Sequence, residues 1–250
     1  TRMKYSIALV EYLNTLPFSE GIKRTRLDSK LDIHRVIPSR CAQLYDEGLV
    51  DISLCPVGAL PDLPPHEIRG RYCIGADGEV GTVVLLSKVP LEDITSVRLD
   101  DHSRTSNLLL QILAERFWKK EWTYYHDPEE VNPESCLMIG DKVFKHKDHY
   151  TYSYDLSAAW KELTGLPMVF AVWITRPGIP DELIRELDDA FESGFEFVKS
   201  ADSGLAAWQR EYLLHNISYP LGKAKRQGME LYLTWAANLE AAPVNLLKYN

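Results

Sequence analysis

Tyr12-Leu13-Asn14-Thr15-Leu16-Pro17-Phe18 follows directly on the first apolar run of the chain, Lys4 to Val10 (Lys-Tyr-Ser-Ile-Ala-Leu-Val). That run reads as a largely buried strand. The chain leaves it through an amide, Asn14, and a hydroxyl, Thr15, and Pro17 then suits the first turn of a helix, where its missing N–H costs nothing. A strand that closes on small polar groups and turns straight into a helix is where an α/β protein places a ligand. Strand, polar turn and helix in immediate succession therefore predict an α/β fold with a site facing Asn14.

Moving outward, Leu31 to Ile37 reads as a second strand closed by Pro38-Ser39, with Ser39 as N-cap of a helix over Arg40 to Gly48. Val50 to Leu54 is a third strand, ending at Cys55-Pro56-Val57-Gly58-Ala59-Leu60. This alternation predicts a mainly parallel, doubly wound sheet. Ile68 to Ile74 and Thr82 to Ser87 bracket a glycine-rich segment, Gly75 to Gly81, which is either a hairpin or a crossover into a second domain. Val97 to Asp100 is a short strand, and Ser103-Arg104-Thr105-Ser106 then opens a helix with Leu108, Leu109, Ile112, Leu113 and Phe117 on one face. Trp122 to Tyr125 and Ser135 to Gly140 read as strands. Tyr154-Asp155-Leu156 opens a helix that Gly165-Leu166-Pro167 ends. Met168 to Thr175 is the most apolar strand, and everything beyond it reads as helical: one helix opened by Pro180, then Leu205 to Leu214 and Leu221 to Leu239. The layout suggests two α/β lobes, one inserted in the other, with the C-terminal helices returning to the first lobe. A single doubly wound domain would share the pattern.

At 250 residues the chain suffices for one large domain or two small ones. A net charge of −8 argues against a nucleic-acid partner, although a few local donors can still hold a small anion. Cys41, Cys55, Cys73 and Cys136 form no CxxC pair and read as reduced core thiols. No stretch approaches the ~20 apolar residues of a membrane span, so no membrane partner is expected. The first strand begins beside Met3 with no signal peptide before it, and the expectation is a cytoplasmic protein.

Ser103-Arg104-Thr105-Ser106 is the clearest binding signal. It gathers three hydroxyls and a guanidinium at a helix start, where backbone N–H groups and the positive dipole end favour a carboxylate or phosphate. An N-cap alone would need one hydroxyl. Ser39 and the Val57-Gly58 turn sit at strand ends on the same predicted sheet edge as Asn14. Asp141, in Ile139-Gly140-Asp141, ends another strand and either faces a ligand or forms a turn. His146 and His149 lie in the mixed-charge run Lys145-His146-Lys147-Asp148-His149, most simply a solvated surface. No catalytic triad, P-loop, GxGxxG or zinc spacing occurs, so neither metal nor cofactor is expected. Any chemistry must ask little of the protein, or borrow a group from the ligand.

Several segments together resemble one family. They are Tyr12 to Phe18, Ile37-Pro38-Ser39-Arg40-Cys41-Ala42, Pro56 to Leu60, Tyr72 to Gly78, Leu99-Asp100 with Ser103 to Ser106, and Ile139-Gly140-Asp141. Tyr154-Asp155-Leu156 with Trp160, and Thr164 to Pro167 with Phe170-Ala171, complete the match. The chain resembles the chorismate dehydratases of the futalosine route to menaquinone from about residue 4 to about residue 200. The resemblance implies a two-lobed, periplasmic-binding-protein type II-like α/β fold, with doubly wound mixed sheets and a ligand cleft between the lobes. The lobes would be 1–82 with 172–250, and an inserted 83–171. It further implies a carbon–oxygen lyase, without cofactor, that converts chorismate to 3-[(1-carboxyvinyl)oxy]benzoate with loss of water. Its key polar residue falls on Asn14 and its carboxylate-binding hydroxyls on Ser103, Thr105 and Ser106, with Thr82 on the opposite wall. Gly81 departs from the larger residue expected beside Thr82. Two other readings fit the same residues: a solute-binding protein for a small anion, and the dihydroxynaphthoate synthase of the same pathway.

Overall fold

The computed structural model describes residues 4–241 and 246–247. Its residues group into two compact units, the chain up to Gly75 with Val169–Gly222, and Ala76–Met168 with the chain from Lys223 onward. In chain order the first unit builds β1 (Tyr5–Val10), α1 (Leu16–Arg24), β2 (Leu31–Val36), α2 (Pro38–Asp46), β3 (Ile52–Pro56) and β4 (Glu67–Ala76). The second contributes β5 (Val83–Ser87), β6 (Ser96–Arg98), α3 (Arg104–Leu113), β7 (Thr123–Tyr125), β8 (Ser135–Ile139), α4 (Val143–His146), β9 (Tyr152–Asp155) and α5 (Leu156–Thr164). The chain then returns through β10 (Met168–Thr175), α6 (Asp181–Lys199), α7 (Ala207–Glu211) and β11 (Ser218–Pro220). It ends in α8 (Lys223–Ala241) and a two-residue β12 (Leu246–Leu247).

The first sheet has the order β11-β4-β10-β3-β1-β2. β1 runs parallel to β2 on one side and β3 on the other. A strand covered on both faces reads as a continuous apolar run, and Ile7, Ala8 and Leu9 are fully buried. β10 and β11 pair antiparallel with β3 and β4, which makes the sheet mixed. The apolar stripe of α6 meets Phe18 of α1 at Phe191, ring centroids 4.5 Å apart, and Trp173 of β10 stacks on Phe191 at 5.3 Å. The second sheet has the order β12-β7-β6-β8-β5-β9. β5 is antiparallel to β8 and β9, while β6 is parallel to β7 and β8.

The structure resolves the alternatives at Gly75 to Gly81: β4 ends in the first sheet and β5 begins in the second, so the segment is a crossover. Ser39 is not an N-cap. The helix already begins at Pro38, whose fixed φ suits the first turn, and Ile37 takes the cap position with no side-chain hydrogen bond. The helix expected at Tyr154-Asp155-Leu156 does open there, with Asp155 as the N-cap of α5, but Asp155 is also the last residue of a strand, Tyr152–Asp155, that the sequence did not show. The C-terminal region is not all helical, because Ser218–Pro220 adds an edge strand. α8 does not return to the first unit. Tyr232 gives its hydroxyl to the Thr105 carbonyl at 2.9 Å, and Trp235 packs edge-on to buried Trp160 at 5.5 Å, which keeps the helix in the second unit.

All four cysteines are buried free thiols. Burial pushes the Cys41 pKa up to about 12, against a weaker downward pull from the Ser53 hydroxyl, so this thiol is inert at neutral pH. Among the described residues no helix is long and apolar enough to cross a membrane.

Candidate functional site

The residues singled out by sequence fall at one edge of each sheet. In the first unit β2, β1 and β3 are parallel, so the turns after them share the sheet's C-terminal edge. Asn14 lies there in a single tight turn, Leu13–Thr15. Ser39 is exposed in the first turn of α2, while Val57 and Gly58 are buried at the start of the turn that follows β3. Thr15, expected as a second polar group at the site, is spent on the fold. Its hydroxyl is buried and donates to the carbonyls of Val10 and Tyr12, tying the strand end to the helix start.

Asn14 is held differently. Its backbone carbonyl accepts a hydrogen bond from the Tyr219 hydroxyl at 2.7 Å. Its side-chain oxygen is withdrawn from solvent and has no partner among the described residues. Buried polar atoms are almost always paired, so an orphan is a marker for a group that awaits a ligand or another function. The turn therefore fixes the main chain and leaves the carboxamide uncommitted.

In the second unit Ser103 is the N-cap of α3, its Oγ accepting from the Ser106 N–H at 3.2 Å. Accepting leaves the hydroxyl proton to be donated. Ser103, Thr105 and Ser106 are all buried, whereas Arg104 is exposed. The loop before the cap is fixed from two sides. Asn107 accepts from the Asp100 N–H at 2.9 Å and donates to the Asp100 carbonyl at 2.8 Å, and the Asp100 carboxylate, nearly without exposure, pairs with Lys142 at 3.1 Å. Thr82 is buried at the start of β5, and its carbonyl accepts from the Gly140 N–H at 2.9 Å. Asp141 follows as an exposed turn residue. Thr82, the Ser103 cap and Asp141 thus share one edge of the second sheet. His146 and His149 are exposed, with ring centroids 5.7 Å apart. Among the described residues no group of three or more His, Cys, Asp or Glu is placed to hold a metal ion.

Asp155 holds Thr82's loop in place. Its carboxylate accepts from the N–H groups of Gly81 at 2.8 Å, Val80 at 3.2 Å and Ala158 at 3.0 Å. Burial raises its pKa, and the hydrogen bonds from Ala158, Gly81 and Val80 oppose that rise. Asp155→Ala removes a helix cap and strands two loop N–H groups, so a loss of about 2–3 kcal/mol in stability is expected, measured by denaturant unfolding. A loss below about 0.5 kcal/mol would show that the clamp contributes nothing.

The sequence reading placed Asp155 at a helix opening but gave it no part in the site, and it singled out neither Lys142 nor Tyr219. Asp155 carried a signal, since Asp followed by an apolar helical run is an N-cap pattern. Tyr219 carried none, because its partner lies 205 residues away.

Two mixed sheets, with the polar residues gathered at sheet edges, define the class. AF1704 from Archaeoglobus fulgidus aligns with a TM-score of 0.72 at 14% identity, covering 96% of this chain and 98% of that one. The CA3427 gene product of Candida albicans, described as having the generic periplasmic-binding-protein fold, aligns at 0.68 and 12% identity over 99% of this chain and 97% of its own. The fold is that of the periplasmic binding proteins. Within this class, the chain belongs to the menaquinone biosynthesis family, whose pattern it matches over residues 5–238. A chorismate dehydratase of Thermus thermophilus is 26% identical over 96% of this chain and 97% of its own length.

Proposed function

We propose that this chain is a chorismate dehydratase, converting chorismate to 3-[(1-carboxyvinyl)oxy]benzoate and water. The observation that carries the reading is the Asn14 side-chain oxygen, shielded from solvent with no partner among the described residues. Such an orphan costs roughly 1–3 kcal/mol, and a ligand hydroxyl relieves it. Chorismate brings one at C4. The dehydratase relative and the family membership support the choice of substrate.

The reaction asks for little acid–base power. The C3 hydrogen of chorismate is conjugated through a ring double bond to the ring carboxylate. Its removal leaves the electron pair in an extended enolate. Return of that pair to make the C3–C4 double bond expels the C4 hydroxyl and completes a benzene ring. The C3 proton and the C4 hydroxide together make the water. An amide is far too weak a base to take the proton, so in this reading Asn14 orients the reacting region and the substrate's own enolpyruvyl carboxylate takes it. Positioning and charge stabilisation supply the rest of the rate. The buried hydroxyls of the Ser103 helix start hold one of the two carboxylates, with the cap proton donated to it and the helix dipole in support.

Ser103→Ala is expected to raise KM for chorismate about tenfold or more, the worth of a hydrogen bond to a charged group, and to lower stability by about 1 kcal/mol through the lost cap. An unchanged KM would remove the carboxylate role from this helix start. The reading as a whole is tested by incubating the chain with chorismate and following the ultraviolet spectrum. Loss of the cyclohexadiene and growth of a benzoate product is expected. Unchanged chorismate would overturn the reading, and binding without conversion, seen as a thermal shift, would favour a solute-binding protein.

A further inference from the structure

Tyr219 is buried near the C-terminal end of the first unit's chain, and it comes from an edge strand of three residues. β11 pairs with β4 at Ser218↔Gly75 and Pro220↔Tyr72, and the register shifts between these two pairs, at Tyr219. Such irregularities re-aim a side chain and are common beside functional sites. The Tyr219 ring enters an aromatic cage, 4.8 Å from Phe195 and 5.5 Å from Phe18, centroid to centroid. It is 6% exposed. From that apolar setting its hydroxyl donates to the backbone carbonyl of Asn14, the residue whose side-chain oxygen has no partner. Burial holds the phenol far above its usual pKa, so it stays a donor throughout the physiological range. The cage fixes the ring and the ring fixes the carbonyl. The peptide that carries the carboxamide is therefore pinned from the far side of the chain, while Thr15 ties down the following residue through Val10 and Tyr12.

We propose that Tyr219 is a positioning residue: its hydroxyl locks the Asn14 peptide so that the carboxamide is preorganised toward the ligand. The proposal rests on the dehydratase reading for its kinetic consequence, and on the structure of the first unit alone for its geometry. Tyr219→Phe keeps the ring and its cage and deletes only the donor. Since a small misplacement of a positioned group can cost roughly a hundredfold in rate, kcat for chorismate is expected to fall about tenfold or more in Tyr219→Phe, with KM within about twofold. In parallel, the Asn14 carbonyl carbon and side-chain amide resonances are recorded in isotope-labelled protein, where both are expected to move while the resonances of α3 stay in place. Unchanged kcat in Tyr219→Phe, beside a wild type that turns chorismate over, overturns the proposal and leaves the dehydratase reading standing. If the wild type leaves chorismate untouched, that reading falls and the spectra decide: shifted Asn14 signals uphold the lock, and unshifted ones overturn it. A parallel rise in KM with broad spectral change shows general loosening, which also overturns it.

Discussion

Asn14→Ala is expected to lower kcat for chorismate by about a hundred- to a thousandfold, the range found when one preorganised polar group is removed from a transition state. It is also expected to leave stability unchanged or to raise it slightly. The two halves of this prediction come from one atom. The Asn14 side-chain oxygen makes no hydrogen bond among the described residues, so the fold loses nothing when it goes. Deleting a buried unsatisfied acceptor removes a desolvation cost of roughly 1–3 kcal/mol, partly offset by the small void left behind. Ordinary packing residues show the opposite sign, and that separates a functional side chain from a structural one. Asn14→Asp is expected to be nearly as poor an enzyme for a different reason. A carboxylate introduced at the turn would repel a substrate carrying two carboxylates, so KM should rise with it. Steady-state kinetics and thermal melts on the two variants decide the matter. Full turnover in Asn14→Ala would end the catalytic role, and a large fall in melting temperature would show that the amide holds the fold.

Much of the frame was legible because local chemistry and global position agree. Ile7–Val10 is an unbroken apolar run because this part of β1 is buried, and Pro17 marks the first turn of α1. Ser103 caps α3, and Gly165, left-handed at φ 73°, closes α5. The readings that failed did so where two local signals compete. At Ile37-Pro38-Ser39 both a proline and a serine mark a helix start, and the proline, with its φ already helical, takes the earlier position. At Tyr152–Asp155 the cap was visible and the strand was not, since four residues are too few to show a period. Ser218–Pro220 is shorter still and contains a proline, which only an edge position tolerates. The placement of α8 rests on Tyr232 and Trp235 meeting Thr105 and Trp160, contacts that no amphipathic pattern names. Asn14 was legible as a polar strand end. The lock on its carbonyl was not.

The second large effect lies where α1 crosses α6. Gly21 and Gly194 are both helical, and on propensity alone each would gain about 1 kcal/mol as alanine. The geometry reverses the sign. A Cβ on Gly194 would stand 1.7 Å from the Pro17 carbonyl oxygen, and one on Gly21 would stand 1.9 Å from that of Ala190. Both obstacles are backbone, which no rotamer change can move aside, so the helices must separate by more than an ångström. That separation loosens the packing of Phe18 against Phe191 and Trp173. Overpacking a core with side chains that can yield costs about 1–3 kcal/mol. Here the upper end or beyond is expected, about 3 kcal/mol or more after the propensity gain, and a melting temperature lower by about 6–12 °C. Gly222→Ala is the control, since nothing lies within 4 Å of its added carbon and its φ is not left-handed; it should be near neutral. Gly194→Ala also carries a functional consequence, because the carbonyl it strikes belongs to Pro17, three residues beyond Asn14. Displacing the start of α1 moves the turn that presents the carboxamide, so kcat should fall at temperatures well below the melt. A Gly194→Ala variant that melts with the wild type would refute the close crossing. One that melts early yet turns chorismate over at the full rate would show that the Asn14 turn is held independently of α1, by the Thr15 and Tyr219 hydrogen bonds alone.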